Sequence, residues 1–290
     1  MNFLAKLVDA SKLRFYAIAS LVSQIGLVVT GGLVRLTGSG LGCPTWPNCT
    51  SDSLVTVPEM GIHGIIEFGN RVLTLVLMVI ALGTLITVLR SAEGKTLRLR
   101  SMAVLLLLGV PGQAVVGGIS VLTKLNPWVV GLHFVLSGLL IAAAATLMFR
   151  VFGWRSDEAS PRWLSGLIVF FGWLTVLVGV AVTGAGPHSG DTESTRNGLD
   201  LEIWQHYHSY PGYILLALVV AQVIWLNRAK LAISTYGVKV AWLLLANVAL
   251  QAVVGVAQAR LGVPPLLVAL HMFGAATAIA LVTLQFNRSR

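Results

Sequence analysis

Eight stretches of about 20 consecutive, sparsely charged apolar residues follow one another along this 290-residue chain, and that is the length an α-helix needs to cross the hydrocarbon core of a bilayer. They run over roughly 15–36, 68–89, 102–122, 128–149, 163–185, 207–227, 240–260 and 265–286. In lipid each backbone N–H and C=O must be satisfied within its own segment, so runs of this kind predict helices. The first run is too long for a secretory leader and lacks a small-residue cleavage site, so it is read as a span. A charged fraction of 11% and a mean hydropathy of +0.84 give no support for a water-soluble domain. The expected fold is an all-α membrane protein of eight transmembrane helices.

Lys and Arg fix the orientation, because basic loops stay on the cytoplasmic side. Lys6, Lys12, Arg14, Arg90, Lys95, Arg98, Arg100, Arg150, Arg155, Arg162, Arg228, Lys230, Lys239, Arg288 and Arg290 place 15 of the 20 basic residues on one side. Both the N and C termini are therefore expected to be cytoplasmic. The formal charge of +9 reads as topology and contact with anionic lipid of the bilayer, not as nucleic-acid binding.

One stretch is written twice. QAVVGGISVLTKLNPWVVGLH, Gln113 to His133, returns 138 residues later as QAVVGVAQARLGVPPLLVALH, Gln251 to His271, with nine of 21 positions identical and no gap. At the same offset Arg90 falls on Arg228 and Arg150 on Arg288. The chain thus reads as two tandem four-helix halves, 1–155 and 156–290. An even number of spans in each half gives the halves one orientation and a pseudo-twofold axis along the membrane normal. Each half is a four-helix bundle able to hold a cofactor between facing helices.

The outer loops differ between the halves. VRLTGSGLGCPTWPNC and VTGAGPHSGD share a TG-small-G pattern, Thr37, Gly38 and Gly40 against Thr183, Gly184 and Gly186, which predicts a common turn. Only the first loop carries cysteines. Cys43 and Cys49 fall outside the membrane, where a disulfide ring can form, the alternatives being two free thiols or an electron-exchanging pair. The cytoplasmic loops are short and basic, so the chemistry must lie in the membrane or at its outer face.

His133 and His271 each lie 17 residues before the arginine that ends their span, about 25 Å along a helix and near the outer border of the hydrocarbon. An intramembrane histidine marks a functional site unless it merely bonds a neighbouring helix, and duplication weakens that plainer explanation. In the second half QHYH offers His206 and His208, which point to different sides of a helix. His208, 20 residues before Arg228, matches the depth of His271. Two facing imidazoles at one depth in a four-helix bundle suit a six-coordinate heme, since neutral nitrogen donors bind both oxidation states of iron. At the matching first-half position stands Asn70, inside HGIIEFGNR. His63 lies on the same helix face two turns nearer the outside, about 10.5 Å away. Either His63 is the second ligand, or His133 is alone opposite an open position at Asn70. Glu67 is an acid at the membrane border, with Gln205 as its second-half counterpart. It is either a helix-end acid paired with Arg71 or a group with a chemical role. Arg35, Arg71 and Arg260 are candidates for contacts to heme propionates, or else cap and snorkel.

GGLVRLTGSGLGCPTWPNC, IEFGNR, VVGLH and VALH together resemble the heme A synthase family, eight-span membrane enzymes of respiratory bacteria and mitochondria. The likeness extends over essentially the whole chain and rests on the combination, each piece being weak alone. It implies a heme b held by His208 and His271, and the substrate, heme o, held in the first half by His133 beside Glu67. Cys43 and Cys49 match the family's outer-loop cysteine pair. Asn70 departs from the family's Glu-x-x-His-Arg motif, which leaves the first-half ligand set open between His63 and an unfilled position. The implied reaction oxidises the C8 methyl of heme o to the formyl group of heme A, with oxygen from water and electrons leaving through heme b. Candidate partners are heme o synthase, cytochrome oxidase assembly factors, quinone or another electron acceptor, and a second copy of the chain in a homo-oligomer. The alternatives are a di-heme b-type membrane cytochrome passing electrons between quinol and an outer-face acceptor, and a transporter without heme.

Overall fold

The computed structural model describes residues 9–92, 94, 99–154, 160–229 and 236–287. Lys6, Lys95, Arg98, Arg155, Lys230, Arg288 and Arg290, used above for orientation, lie outside them, as does the boundary between the halves. Among the described residues there is no strand. The described residues form eight long helices: α1 Leu13–Leu36, α2 Gly61–Arg90, α3 Leu99–Leu122, α4 Pro127–Phe152, α5 Arg162–Ala185, α6 Leu201–Arg228, α7 Tyr236–Arg260 and α8 Pro265–Phe286. All eight are long and apolar enough to cross a bilayer, so this is a multi-pass membrane protein.

Hydropathy placed the spans correctly but began two of them late. α2 starts at Gly61 rather than near 68, and α6 at Leu201 rather than near 207. The added turns carry polar residues, which do not register as apolar yet can be helical outside the hydrocarbon. Asp200 caps α6 by accepting from the Ile203 N–H, satisfying one of the orphan donors at a helix start. At 1.5 Å per residue the 30 residues of α2 and 28 of α6 span about 45 and 42 Å, against roughly 30 Å of hydrocarbon. The two helices with these added turns are the ones carrying Asn70 and His208.

The 138-residue register persists in the backbone. α2 and α6 end on Arg90 and Arg228, and α4 and α8 begin on Pro127 and Pro265, where the missing proline N–H costs nothing. The turns before those prolines are also copies. Lys124 and Leu125 have φ of 50° and 57°, while Gly262 and Val263 have 75° and 61°. Leu125 N–H donates to Ser120 O, and Val263 N–H to Gln258 O, both at 2.7 Å, as in a Schellman ending. A left-handed Leu or Val costs of order 1–3 kcal/mol and persists only where packing fixes it. Leu125 is buried under the outer loops, against Gly40, where a Cβ would stand 2.6 Å from its Cδ1.

Helix packing closes two rings. α1 contacts α2 and α4, and α3 contacts the same two; α5, α6, α7 and α8 repeat that cycle. Between halves α4 packs on α8, α1 on α8 and α4 on α5. Exchanging α1 with α5 and α4 with α8 maps this pattern onto itself, as a twofold relation requires. The centre is close-packed because its residues are small: Ala143, Ala144 and Ala145 of α4 lie in one buried cluster with Ala276, Ile279 and Ala280 of α8.

The expected common TG turn is not shared. Gly38 follows α1 with φ 66°, whereas Gly184 lies inside α5 and Gly186 caps it with φ −71°. The same letters serve a left-handed turn in one half and a helix end in the other.

Candidate functional site

In the second half the imidazoles of His208 on α6 and His271 on α8 face each other, with ring centres 6.0 Å apart and planes at 79°. Nitrogen–metal bonds of about 2 Å on either side of one ion put ring centres on the order of 6 Å apart. His208 Nδ1 lies 3.0 Å from Thr175 O of α5. A carbonyl only accepts, so Nδ1 carries the proton and Nε2 presents its lone pair. His271 Nδ1 is buried and has no hydrogen-bond partner among the described residues. His206 is exposed.

Glycines bring helices flat against these rings. A Cβ on Gly179 would stand 2.8 Å from His208 Cε1, and one on Gly255 3.4 Å from His271 Cε1. Gly117, 138 residues before Gly255, stands 3.3 Å from His133 Cε1 by the same measure. Among the described residues no group of three or more His, Cys, Asp or Glu could hold a metal ion. Two facing imidazoles in a dry bundle instead suit an iron whose remaining positions a macrocycle fills, so the residues present fit a heme.

In the first half His133 occupies the place of His271, and its Nδ1 is likewise buried and unpartnered among the described residues. Gln113 Nε2 donates to His133 O at 3.1 Å and Ser137 Oγ at 2.7 Å, holding α3 against α4. Asn70 Oδ1 is 2.8 Å from Thr30 Oγ1 of α1, and a Cβ on Gly31 would stand 3.8 Å from Asn70 Nδ2. His63 sits in the first turn of α2, exposed, with Nδ1 2.9 Å from Ser39 Oγ. With Arg35, Glu59, His188 and Arg196 it lines an outer cavity of about 830 Å³ between the two long loops. His63 and Asn70 thus share a helix face without sharing a depth.

Cys43 and Cys49 form a disulfide, which removes the free-thiol alternative. Their loop is held from below by α2. Glu67 Oε2 accepts from Cys43 N–H and Oε1 from Arg71 Nη2, each at 2.6 Å. Arg71 also donates to Cys43 O, Thr45 O and Asn48 O, all at 3.0 Å. Its fork is directed at loop carbonyls. Trp46 packs on α3, where a Cβ on Gly118 would stand 2.3 Å from its ring. Arg35 likewise donates to the end of α5, to Thr183 O at 2.7 Å, and to His188 O in the loop that follows it. Arg260 is exposed at the last residue of α7.

Sequence reasoning passed over Thr30, Ser39, Thr175 and His188, the last placed 2.8 Å from Val263 O. Their partners are ring nitrogens, an amide and backbone carbonyls, none of which leaves a pattern in sequence. Gly117 and Gly255 did leave one, as an identical position of the doubled stretch.

The profile of the family described as cytochrome oxidase assembly protein matches residues 14–283. The chain is similar to a heme A synthase of Lysinibacillus sphaericus, 28% identical over 181 residues, which is 59% of this chain and 57% of the relative. It is 26% identical over 235 residues to one from Alkalihalophilus pseudofirmus, covering 74% and 76%. A third, from Staphylococcus epidermidis, is 26% identical over 245 residues, covering 75% and 76%. The match thus spans a little over half the length of the first relative and about three quarters of the other two.

Proposed function

The chain belongs to the COX15-CtaA family of cytochrome oxidase assembly proteins, and on that premise we propose that it is a heme A synthase, oxidising the C8 methyl of heme o to a formyl group. The balance requires one water: methyl plus water gives formyl, four protons and four electrons. The four electrons require an acceptor, a quinone or another oxidant, and a bound heme b would supply the one-electron chemistry for their transfer. The protein is placed in the cell membrane with both termini cytoplasmic and both heme sites toward the outer face. Residues 1–155 form the substrate half and 156–290 the heme b half.

His208 and His271 would hold the heme b, and the Thr175 carbonyl orients His208 for it. That cofactor supplies one-electron redox chemistry when bound. His133 holds heme o, with Gly117 letting α3 lie against its ring. Glu67 takes up protons released at the methyl carbon and balances positive charge there. Two of its lone pairs are occupied by Cys43 N–H and Arg71, which fixes the carboxylate, and a carboxylate has about two more to offer. Closed helix packing and the docked disulfide loop limit water at the site. Heme o synthase and oxidase assembly factors are the partners that fit such a place in heme supply.

The observation that carries this reading is the pair of imidazoles 6.0 Å apart in one half, with its histidine, glycine and turn repeated in the other. The test is to purify the protein from cells that make heme o, record its absorption spectrum and identify the extracted hemes. Heme b together with heme A or hydroxylated heme o is expected; a colourless protein refutes it. A second reading has one observation in its favour, since both Glu67 oxygens are engaged in holding the loop. In that reading the chain is a di-heme b-type cytochrome between quinol and an outer-face acceptor, and heme b alone, with heme o supplied, would establish it.

A further inference from the structure

The first-half pocket departs from the duplication at the one position where a second imidazole is due. A slip of register does not account for it. Arg90 and Arg228 end the two helices concerned, and Pro127 and Pro265 begin the helices facing them. Asn70 therefore stands where His208 stands. A glycine of α1, Gly31, lies beside it at 3.8 Å, as Gly179 of α5 lies beside His208 at 2.8 Å.

Three features bear on what Asn70 does there. A carboxamide oxygen suits hard cations such as magnesium or calcium and is a poor donor to iron. One end of the amide is tied at 2.8 Å to Thr30 Oγ1, and Thr30 is its one side-chain hydrogen-bond partner among the described residues. The other end, Nδ2, has no hydrogen-bond partner among the described residues and lies on the face of α2 that corresponds to the His208 face of α6. His63, the substitute imidazole, is held by Ser39 in the wall of the outer cavity, seven residues and about 10.5 Å along the helix.

We infer that Asn70 and Thr30 wall an open coordination position: a heme held by His133 has no second protein ligand and accepts a small exogenous ligand, of the kind carbon monoxide or cyanide represents, hydrogen-bonded by the Asn70 amide. The inference rests on the reading of His133 as a heme ligand. It makes the two halves different in kind, His208 and His271 closing both axial positions of one heme while His133 and Asn70 leave one open on the other.

The experiment uses the purified holoprotein in detergent and takes carbon monoxide on the reduced form and cyanide on the oxidised form as probes. About half of the heme should bind carbon monoxide, the rest remaining six-coordinate. Asn70→His should abolish that fraction and give two low-spin hemes. Should that variant not fold, Asn70→Val tests the same point, because it should still bind both probes, with cyanide affinity lowered about fivefold, the worth of one hydrogen bond. Thr30→Val should lower it less. A parent protein with two low-spin hemes, inert to both probes, overturns the inference while leaving the heme reading intact. Reactivity that appears only in His63→Ala does so too, by making His63 the ligand. Heme content unchanged in His133→Ala refutes the reading beneath it and the inference with it.

Discussion

Replacing Arg71 with leucine should loosen the disulfide loop by an amount the structure allows to be worked out. Glu67 and Arg71 are 2.6 Å apart, with side chains 7% and 21% exposed, so a buried carboxylate is paired with a half-buried guanidinium. Removing the guanidinium leaves a buried carboxylate with only the Cys43 N–H, and strips donors from the carbonyls of Cys43, Thr45, Pro47 and Asn48. Breaking a buried pair from one side costs about 3–5 kcal/mol. The carbonyls lie near the water-facing rim and are resolvated, so the lower end, about 3 kcal/mol, applies. Both cysteines are fully buried, so a reductant reaches them only when the loop opens. With opening fast relative to reduction, the rate follows the open population, and about 3 kcal/mol is a little over a hundredfold. The assay is reduction of Cys43–Cys49 by a phosphine in detergent, trapped at intervals with a bulky maleimide and read as a gel shift. Arg71→Leu should be reduced about a hundredfold faster than the parent. Adding Glu67→Gln should recover at least tenfold of that, since an amide needs no counter-ion. A rate for Arg71→Leu within threefold of the parent would refute the clamp, and a double variant as fast as the single would show that charge is not what couples them.

Glu67→Gln alone should keep both hemes bound and stop heme A formation, measured by extracted-heme chromatography; undiminished heme A would remove Glu67 from the reaction. Gly179→Val adds bulk 2.8 Å from His208 Cε1 and should weaken heme b retention about tenfold, as overpacking by 1–3 kcal/mol implies. Gly166→Ala on the same helix, with nothing within 4 Å, serves as the control, and equal heme content in the two would count against the His208 cradle. At the opposite end, Gln222 Nε2 donates to Ser160 Oγ at 2.8 Å and Gln285 Oε1 at 3.0 Å. Gln222→Leu should lower thermal stability in detergent by about 1–3 kcal/mol with little effect on heme content. Loss of heme at unchanged melting temperature would contradict that division of roles.

The spans, the duplication and the depth of the histidines were legible because lipid imposes length and apolarity, and because a repeat without gaps carries its register with it. The outer turns of α2 and α6 were not, since residues such as His63, Glu202 and Gln205 look like loop to a hydropathy window. Of the alternatives at Glu67, the pairing with Arg71 is present, an i,i+4 contact readable from spacing alone. The rest of what Arg71 does was unreadable. Its other partners are carbonyls of residues 43–48, and every residue has a carbonyl, so nothing in the letters singles those out. The TG-small-G likeness misled for the opposite reason: side-chain letters matched while the backbone took a left-handed turn in one half and a helix in the other.

The asymmetry between the halves is better described as one coupled set than as a single lost histidine. At the 138 offset Glu67 and Arg71 fall on Gln205 and Ser209, so acid and base are both replaced by neutral polar residues in the half whose outer loop has no cysteines. Each member requires the others. A carboxylate buried on α2 without the guanidinium and the Cys43 N–H would carry several kcal/mol of uncompensated charge. An arginine in that place without the loop would leave donors unmet in the bundle mouth. The loop without its disulfide would be a long irregular segment free to lift away with Trp46. Asn70 lies on the same helix between the acid and the base, its own amide drawn to Thr30. The first turns of α2 therefore give their polar groups to the disulfide loop and to Thr30, whereas on α6 His208 is oriented by the Thr175 carbonyl and faces His271.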